Sequence, residues 1–448
     1  MLAFVFALAF SAGAHASDLS RAPEGFSVQG LRAVYVDFLE LDAKITYDVR
    51  AKSASVVTTI RFEAQEAGQP IFDLRPEATS LELDGAPVRA LSVKTPDNAT
   101  TVRVLQTLVA PGTHELVVRS PLVSLVDWKS DGVHSAFWMS DLTDRQYLEQ
   151  FLPANLEFDQ YVMTFEVKFL NASKRQVLYT NGVVEELSGQ HFVVRYPQYF
   201  TASSVFFHTV PEGVMAEERF AFTSVDGREL PVVIYLRPSL LGSAAAQLAR
   251  VKTETLRVLR ELEADYGPFL HPSLTIYNAG QGGMEYCGAT ITSFEALGHE
   301  LIHSYFARGV MPANGNAGWI DEAIASWRDR GYPRGTGFSG SANLANMAPY
   351  TRTTARAAYG YGATFMSNLD AYFAEQGGLK SLLRRLVQER AFMPFITEDF
   401  IDWAQGHYRA ELAPLFKRHV YSGSSTRTTV EESVHHRKLT ETELRELL

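Results

Sequence analysis

The segment His299-Glu300-Leu301-Ile302-His303 constrains this chain most, and Glu322 follows nineteen positions after its second histidine. Apolar residues around the segment recur at helical spacing, which predicts a helix over residues 294–308 with both histidines on one face. Both imidazoles can then meet one metal ion, and a carboxylate from a second predicted helix can join them. Two histidines and one carboxylate leave a fourth zinc position open, which is typical of a catalytic site rather than a structural one.

Glu300 follows the first histidine directly and is predicted to face the same cleft, where it can take a proton from an attacking water. The plain alternative is a surface helix with two spare histidines. A chance match to this motif in a chain of this length has a probability of about a few per cent. Two motifs on either side of the segment argue against chance.

These motifs are Gly282-Gly283-Met284-Glu285-Tyr286 upstream and Tyr359-Gly360-Tyr361-Gly362-Ala363 downstream. Together with the histidine segment and Glu322, they resemble the aminopeptidase N family of gluzincin zinc metallopeptidases, in a compact form that lacks the C-terminal helical domain. The resemblance covers most of the chain, to about Tyr421. It implies a zinc-dependent aminopeptidase that holds one zinc per chain on His299, His303 and Glu322 and uses Glu300 as its base.

In that family the glycine-rich strand grips the free amino terminus of the substrate, which implies substrate-binding roles for Gly282, Gly283, Met284 and Glu285. The asparagine of the family motif is Tyr286 here. Glu285 would bind the ammonium group and prevent a peptide from running through the cleft, because a buried unpaired carboxylate costs about several kcal/mol. The alternative for Glu285 is an ion pair with a nearby arginine or lysine.

Two other family positions match less closely. The Tyr-x-x-Gly motif implies that Tyr359 supports the oxyanion, with Tyr361 as its rival two residues later. Members of the family have a Gln-x-Glu segment that helps to hold the amine. Gln150 aligns with its glutamine, but Leu152 stands at the position of its glutamate. Either Glu149 substitutes from a shifted register, or fewer carboxylates hold the amine, or this segment is an ordinary polar loop.

The pattern along the chain predicts an α+β fold of two domains, because 448 residues exceed a single core. Residues 17–213 show short alternating strands and are predicted to form a mainly antiparallel β domain. Residues 214–421 are predicted to form a thermolysin-like catalytic domain, with a helix from Ser243 to Gly267 and an edge strand over 284–292. Residues 422–448 are predicted to be an unstructured tail rather than a docked helix.

The remaining sequence features concern location and partners. Residues 1–16 resemble a signal peptide with a cut before Ser17, although no lysine or arginine precedes the apolar run, and this predicts a periplasmic or secreted protein. No stable membrane insertion is expected, because the run is shorter than the ~20 residues that a spanning helix needs. The net charge of −10 argues against a nucleic-acid partner. The single cysteine, Cys287, is interpreted as a buried filler rather than a nucleophile.

Two other functional classes share part of the pattern. A thermolysin-type endopeptidase would have the histidine segment and a downstream glutamate, but it has no use for Gly-Gly-Met-Glu. A zinc-bearing peptide-binding module without turnover would be expected to have lost Glu300 or a metal ligand. The sequence therefore favours peptides with a free amino terminus as partners, and it offers Asp321 as a weak candidate to orient a histidine.

Overall fold

The computed structural model of the protein describes residues 19–139, 147–238, 243–313, 316–347, 349–350, 354–422 and 439–448. The predicted leader in residues 1–16 lies outside these ranges. Strands dominate the first half of the chain and helices the second, so the α+β prediction is confirmed. Within the described ranges, no helix is long and apolar enough to cross a membrane.

The first half consists of strands that pair into three sheets. Their bounds are β1 (Phe26–Val28), β2 (Leu31–Val34), β3 (Asp37–Asp48), β4 (Ser53–Ala64), β5 (Gln69–Phe72), β6 (Ser80–Leu83), β7 (Ala86–Pro87), β8 (Ala90–Lys94), β9 (Thr101–Leu105), β10 (Gly112–Pro121), β11 (Val126–Lys129), β12 (Gly132–Phe137), β13 (Val162–Leu170), β14 (Gln176–Thr180), β15 (Val183–Ser188), β16 (His191–Arg195) and β17 (Phe207–Pro211). Alternate residues of β4 from Val56 to Ala64 are buried, as in a strand with one solvated face.

The largest of these sheets has the strand order β15-β16-β13-β3-β4-β10-β6-β7. Its pairings are antiparallel except for β3 with β13, which run parallel. The two smaller sheets have the orders β1-β2-β5-β9-β8 and β11-β12-β17-β14. This half of the chain is therefore the mainly antiparallel β region that the alternating pattern predicts.

The second half places helices around one mixed sheet of order β18-β19-β20-β22-β21. The bounds are β18 (Ala216–Thr223), β19 (Glu229–Leu236), α1 (Ala244–Tyr266), β20 (Leu274–Asn278), β21 (Gly283–Tyr286), β22 (Ala289–Thr292), α2 (Leu297–Ile302), β23 (Met311–Pro312), α3 (Gly318–Asp329), α4 (Ala363–Tyr372), α5 (Gly378–Arg390), β24 (Pro394–Phe395), α6 (Thr397–Tyr408), α7 (Ala413–His419) and α8 (Glu441–Leu447). Shorter 3-10 turns cover Leu19–Arg21, Leu148–Gln150 and Ala374–Gln376, and a π-helical turn covers Ala358–Gly362.

The predicted edge strand over residues 284–292 is in fact a hairpin. Strand β21 lies at the sheet edge, and β22 pairs antiparallel with it and parallel with β20. Gly288, with a φ of +64°, lies in the connection between the two strands. The prediction of a single strand was wrong here, because the turn takes up only Cys287 and Gly288 and the residues on both sides of it favour strands.

The predicted metal helix over residues 294–308 is shorter than expected, since α2 ends at Ile302. His303 still has helical backbone angles, with φ −62° and ψ −18°, so the two histidines keep the same face. The chain then turns away from the helix path, and Ala307 has a φ of +135° that an α-helix cannot contain. This turn carries Arg308 into the interior, where its side chain is 2% exposed.

Two of the hydrophobic cores formed by the described residues are large. One lies among helices α1 to α7 and the inner strands of the mixed sheet. The other fills the β region and also takes in Tyr277, Met284 and Tyr286 from the mixed sheet. The edge strand β21 is thereby fixed against the β region. We retain residue 213 as the proposed boundary between the two domains.

The prediction of an unstructured tail was wrong for residues 439–448. Helix α8 begins with a capping box between Thr440 and Glu443 and buries Leu444 in the core of the β region. The carbonyl oxygen of Leu447 accepts a hydrogen bond of 3.1 Å from the Tyr277 hydroxyl. The leucines of this segment pack into the core of the β region, and a linear sequence does not reveal that apolar contact.

Candidate active site

Helices α2 and α3 bring His299, His303 and Glu322 together beneath the edge strand. Oε2 of Glu322 lies 3.1 Å from Nε2 of His299 and 3.5 Å from Nε2 of His303. The ligand-type atoms of the three residues lie within 4.8 Å of one another, and all three side chains are buried. The structure therefore brings together the three residues that the sequence proposes as zinc ligands.

The other nitrogen of each histidine has a partner that fixes the ring. Nδ1 of His299 lies 2.7 Å from Oδ2 of Asp329, at the end of α3. Nδ1 of His303 lies 3.1 Å from the carbonyl oxygen of Phe306 and 3.8 Å from Oδ2 of Asp321. These contacts leave both Nε2 atoms for a metal. Sequence analysis missed Asp329, whose only signal is its position two helical turns after Glu322.

The electrostatics of this cluster match a divalent cation. Burial lowers the pKa of His299, but the carboxylates of Asp329 and Glu322 outweigh burial and raise it well above its ordinary value. Burial likewise opposes the charge on His303, whose pKa the carboxylates of Glu285 and Glu322 raise to about 9. Nε2 of His303 is buried and makes no hydrogen bond to the described residues. A nitrogen–nitrogen–oxygen donor set of this kind fits zinc.

Glu300 lies on the same helix as His299 and faces the edge strand β21. A Cβ atom added at Gly283 would come within 2.0 Å of Oε1 of Glu300. Only glycine at this position lets the carboxylate approach the backbone of β21 so closely. The preceding Gly282 has a φ of +62°, which the tight turn into β21 requires. The structure therefore explains why glycine is needed at both positions, which the family resemblance alone does not explain.

Glu285 lies on β21, is 0% exposed, and forms an ion pair with Arg308. Oε1 of Glu285 accepts a hydrogen bond of 3.0 Å from Nη2 of Arg308. A carboxylate oxygen of Glu285 also lies within 4.8 Å of ligand-type atoms of Glu300 and His303. The sequence offers two alternatives for Glu285, a place beside the proposed metal ligands or an ion pair with a basic residue. The structure shows both.

Tyr359 lies against the metal residues, whereas Tyr361 points elsewhere. The rings of Tyr359 and His299 are stacked, with centroids 6.3 Å apart. The hydroxyl of Tyr361 instead donates to the carbonyl oxygen of Gly340 over 3.1 Å. The π-helical turn that carries both tyrosines packs on α3 through Gly362, where an added Cβ would come within 2.9 Å of Ala323.

The residues aligned with the family's Gln-x-Glu segment lie in the β region. Gln150 ends a 3-10 turn, is half-buried, and makes no side-chain hydrogen bond to the described residues of the site. Glu149 faces Arg75 at 3.9 Å and accepts a hydrogen bond from the backbone nitrogen of Tyr147, while Leu152 is buried. The described contacts of Glu149 are therefore made with other residues than the proposed zinc ligands, and a role for Gln150 stays a prediction.

Cys287 follows the edge strand and is buried. Burial raises the pKa of its thiol to about 12, so the thiol stays protonated near neutral pH. Its sulfur lies 3.7 Å from the carbonyl oxygen of Arg308. These properties are those of the packing residue that the sequence predicts rather than of a nucleophile.

We expect Asp329→Asn to weaken zinc binding about 10- to 100-fold, because the amide no longer holds His299 by a charge-assisted contact. Competition with a chromophoric chelator measures the zinc dissociation constant. Asp321→Asn is the matched control and is expected to have a smaller effect, since Asp321 lies farther from its histidine. Equal losses in the two variants would contradict the role assigned to Asp329.

The fold of the described residues is that of the aminopeptidase N-like M1 zinc metallopeptidases. The M1 zinc metallopeptidase of Deinococcus radiodurans, a mutant bound to a Tyr-Ser-Ala substrate, superposes with a TM-score of 0.63 over 87% of this chain and 95% of that chain, at 17% identity. A two-domain M1 zinc metallopeptidase mutant bound to L-tryptophan gives a TM-score of 0.62, with the same coverages and 16% identity.

Native yeast LTA4 hydrolase superposes with a TM-score of 0.64 at 11% identity, over 87% of this chain and 68% of that chain. No family model matches the sequence, and no curated protein matches it either. At such low identities the similarity establishes a shared fold, and the chemistry has to be argued from the residues of this chain.

Proposed function

We propose that this protein is a zinc-dependent aminopeptidase, which removes the N-terminal residue from peptides. The observation that carries the proposal is the buried Glu285, whose carboxylate lies within 4.8 Å of ligand-type atoms of Glu300 and His303. A carboxylate this close to the proposed reacting groups can bind the substrate ammonium when the scissile bond follows the first residue of the peptide. The M1 fold supports the same reaction class.

In the proposed reaction the peptide lies along β21, an edge strand that can pair with an extended backbone. Glu285 accepts a hydrogen bond from the amino end and sets the register. His299, His303 and Glu322 would hold one zinc per chain, and the zinc would supply Lewis-acid polarisation of the scissile carbonyl. Gln150 is a further proposed contact for the substrate. Met284 precedes Glu285 in β21 and is also proposed to contact the substrate.

The proton transfers fall to Glu300. Its carboxylate takes a proton from the attacking water and then delivers it to the leaving nitrogen. Tyr359 donates its hydroxyl proton in a hydrogen bond to the oxyanion that forms on the scissile carbon. The glycine at position 283 keeps Glu300 next to the peptide backbone during both transfers.

One observation favours a second candidate, a peptidase that does not require a free amino end. The ion pair with Arg308 already compensates the charge of Glu285. A thermolysin-like endopeptidase is therefore the alternative, and a free amino terminus would then give no advantage. Export to the periplasm or the medium, based on residues 1–16, remains part of the main proposal.

A panel of aminoacyl-coumarin amides tests the main proposal, with zinc content measured in the same preparations. We expect about one zinc per chain, cleavage that a chelator abolishes, and recovery on adding zinc back. Cleavage that persists after the zinc has been stripped would contradict the proposal.

A further inference from the structure

Arg308 contacts the proposed amine-binding residue at two points. Its Nη2 donates to Oε1 of Glu285 over 3.0 Å, and its Nε donates to the backbone carbonyl oxygen of Glu285 over 3.3 Å. Its Nη1 donates to the hydroxyl of Ser203 over 2.6 Å. The guanidinium therefore fixes both the side chain and the backbone of Glu285, and it ties them to the β region.

The backbone that delivers Arg308 is strained. Ala307 has a φ of +135°, a conformation that residues with a Cβ rarely adopt. Its backbone nitrogen donates to the carbonyl oxygen of Val310, which closes the turn. Such strain persists only where the surroundings determine the conformation, and the three hydrogen-bonding contacts of Arg308 supply that constraint.

The pair changes how Glu285 can recognise a substrate. Arg308 and Glu285 are 2% and 0% exposed at their side chains, so water screens their attraction little. An ammonium that enters this site meets a carboxylate whose charge is already compensated. It can still donate a hydrogen bond to Glu285, but it gains much less from charge attraction than beside an unpaired carboxylate.

We propose that Arg308 determines end-group specificity, so that the site recognises the amino end of a peptide mainly by a hydrogen bond and by space. The substrate class then includes acyl peptides that carry a small neutral donor, such as an α-hydroxyl, in place of the ammonium. This inference rests on the proposed function only in taking Glu285 as the residue that contacts that end.

Binding of two small ligands tests the inference without turnover. L-leucinol and its 2-hydroxy counterpart have no amide bond to hydrolyse and differ only in the amine and the hydroxyl, and calorimetry on the zinc-loaded protein gives both dissociation constants. We expect the wild type to prefer the amine by about tenfold or less. In Arg308→Met the preference should widen at least about tenfold, because Glu285 then lacks the guanidinium that offsets much of its charge. Any direct effect of the metal on the amine is common to both proteins and cancels in the comparison.

Two variants separate charge from position. Arg308→Lys retains the positive charge and loses the planar fork, so its preference should remain that of the wild type. Ser203→Ala removes one anchor and should also leave the preference unchanged. If Arg308→Met does not fold, Arg308→Gln replaces it with a neutral donor of similar length, and the same widening is expected.

An unchanged preference in the neutral variants, or equal widening in Arg308→Lys, would overturn the inference. So would a wild type that prefers the amine by more than about a thousandfold, which is the discrimination expected of an uncompensated buried carboxylate. The proposed function fails separately, through equal cleavage of free and N-acetylated peptides or through turnover that is independent of zinc.

Discussion

Replacing Glu300 by glutamine is expected to lower kcat by about 10² to 10⁴ while the protein keeps its zinc. The carboxylate lies next to β21 and is separate from the three proposed ligands, so the change removes a proton acceptor and leaves the donor set intact. Glutamine has nearly the same volume, and Gly283 leaves room for its amide. Steady-state kinetics and zinc analysis of the same preparation measure the two effects.

His299→Ala is the contrasting variant, because it removes a ligand and should lose both zinc and turnover. Circular dichroism checks that both variants are folded. Near wild-type turnover in Glu300→Gln with zinc bound would show that another group accepts the proton.

Tyr359→Phe is expected to lower kcat by about 10² to 10³, the usual effect of losing one oxyanion donor. The phenyl ring can still stack on His299, so folding and zinc binding should be preserved. KM should change little, because the lost hydrogen bond strengthens mainly in the transition state. Pre-steady-state measurements with a coumarin amide separate the chemical step from product release.

Tyr361→Phe is the matched control two residues away. Its hydroxyl contacts the carbonyl oxygen of Gly340 and lies 3.3 Å from Nδ1 of His419, and neither residue is a proposed zinc ligand. We expect a small change in thermal stability and an unchanged kcat. A large loss of kcat in Tyr361→Phe, with Tyr359→Phe active, would reverse the roles of the two tyrosines.

The features that sequence predicts well are those set by local periodicity. Two histidines four apart share a helix face whatever surrounds them, and the predicted helix from Ser243 to Gly267 appears as α1 with these residues at its caps. Glu322 lies on a second helix, so the prediction that it approaches the histidines needed the family resemblance as well as the local pattern.

The features that sequence does not reveal depend on contacts between distant segments. Asp329 contacts His299 although 30 positions separate them in the sequence, and Arg308 contacts Glu285 although 23 positions separate them. No sequence motif near Asp329 or Arg308 indicates either contact. The docking of Leu444 similarly depends on an apolar patch that only the folded β region forms.

Cleavage of a peptide compared with cleavage of its N-acetylated twin shows whether the protein removes one residue from a free amino end only. The acetyl group would have to occupy the space beside Glu285 where the substrate ends, so we expect a steric clash to exclude it. We predict cleavage of the free peptide alone, and a loss of about 2 to 4 kcal/mol in transition-state stabilisation, measured by kcat/KM, in Glu285→Ala. Equal cleavage of the two peptides by the wild type would show that no free amino end is needed and would assign the protein to the endopeptidases.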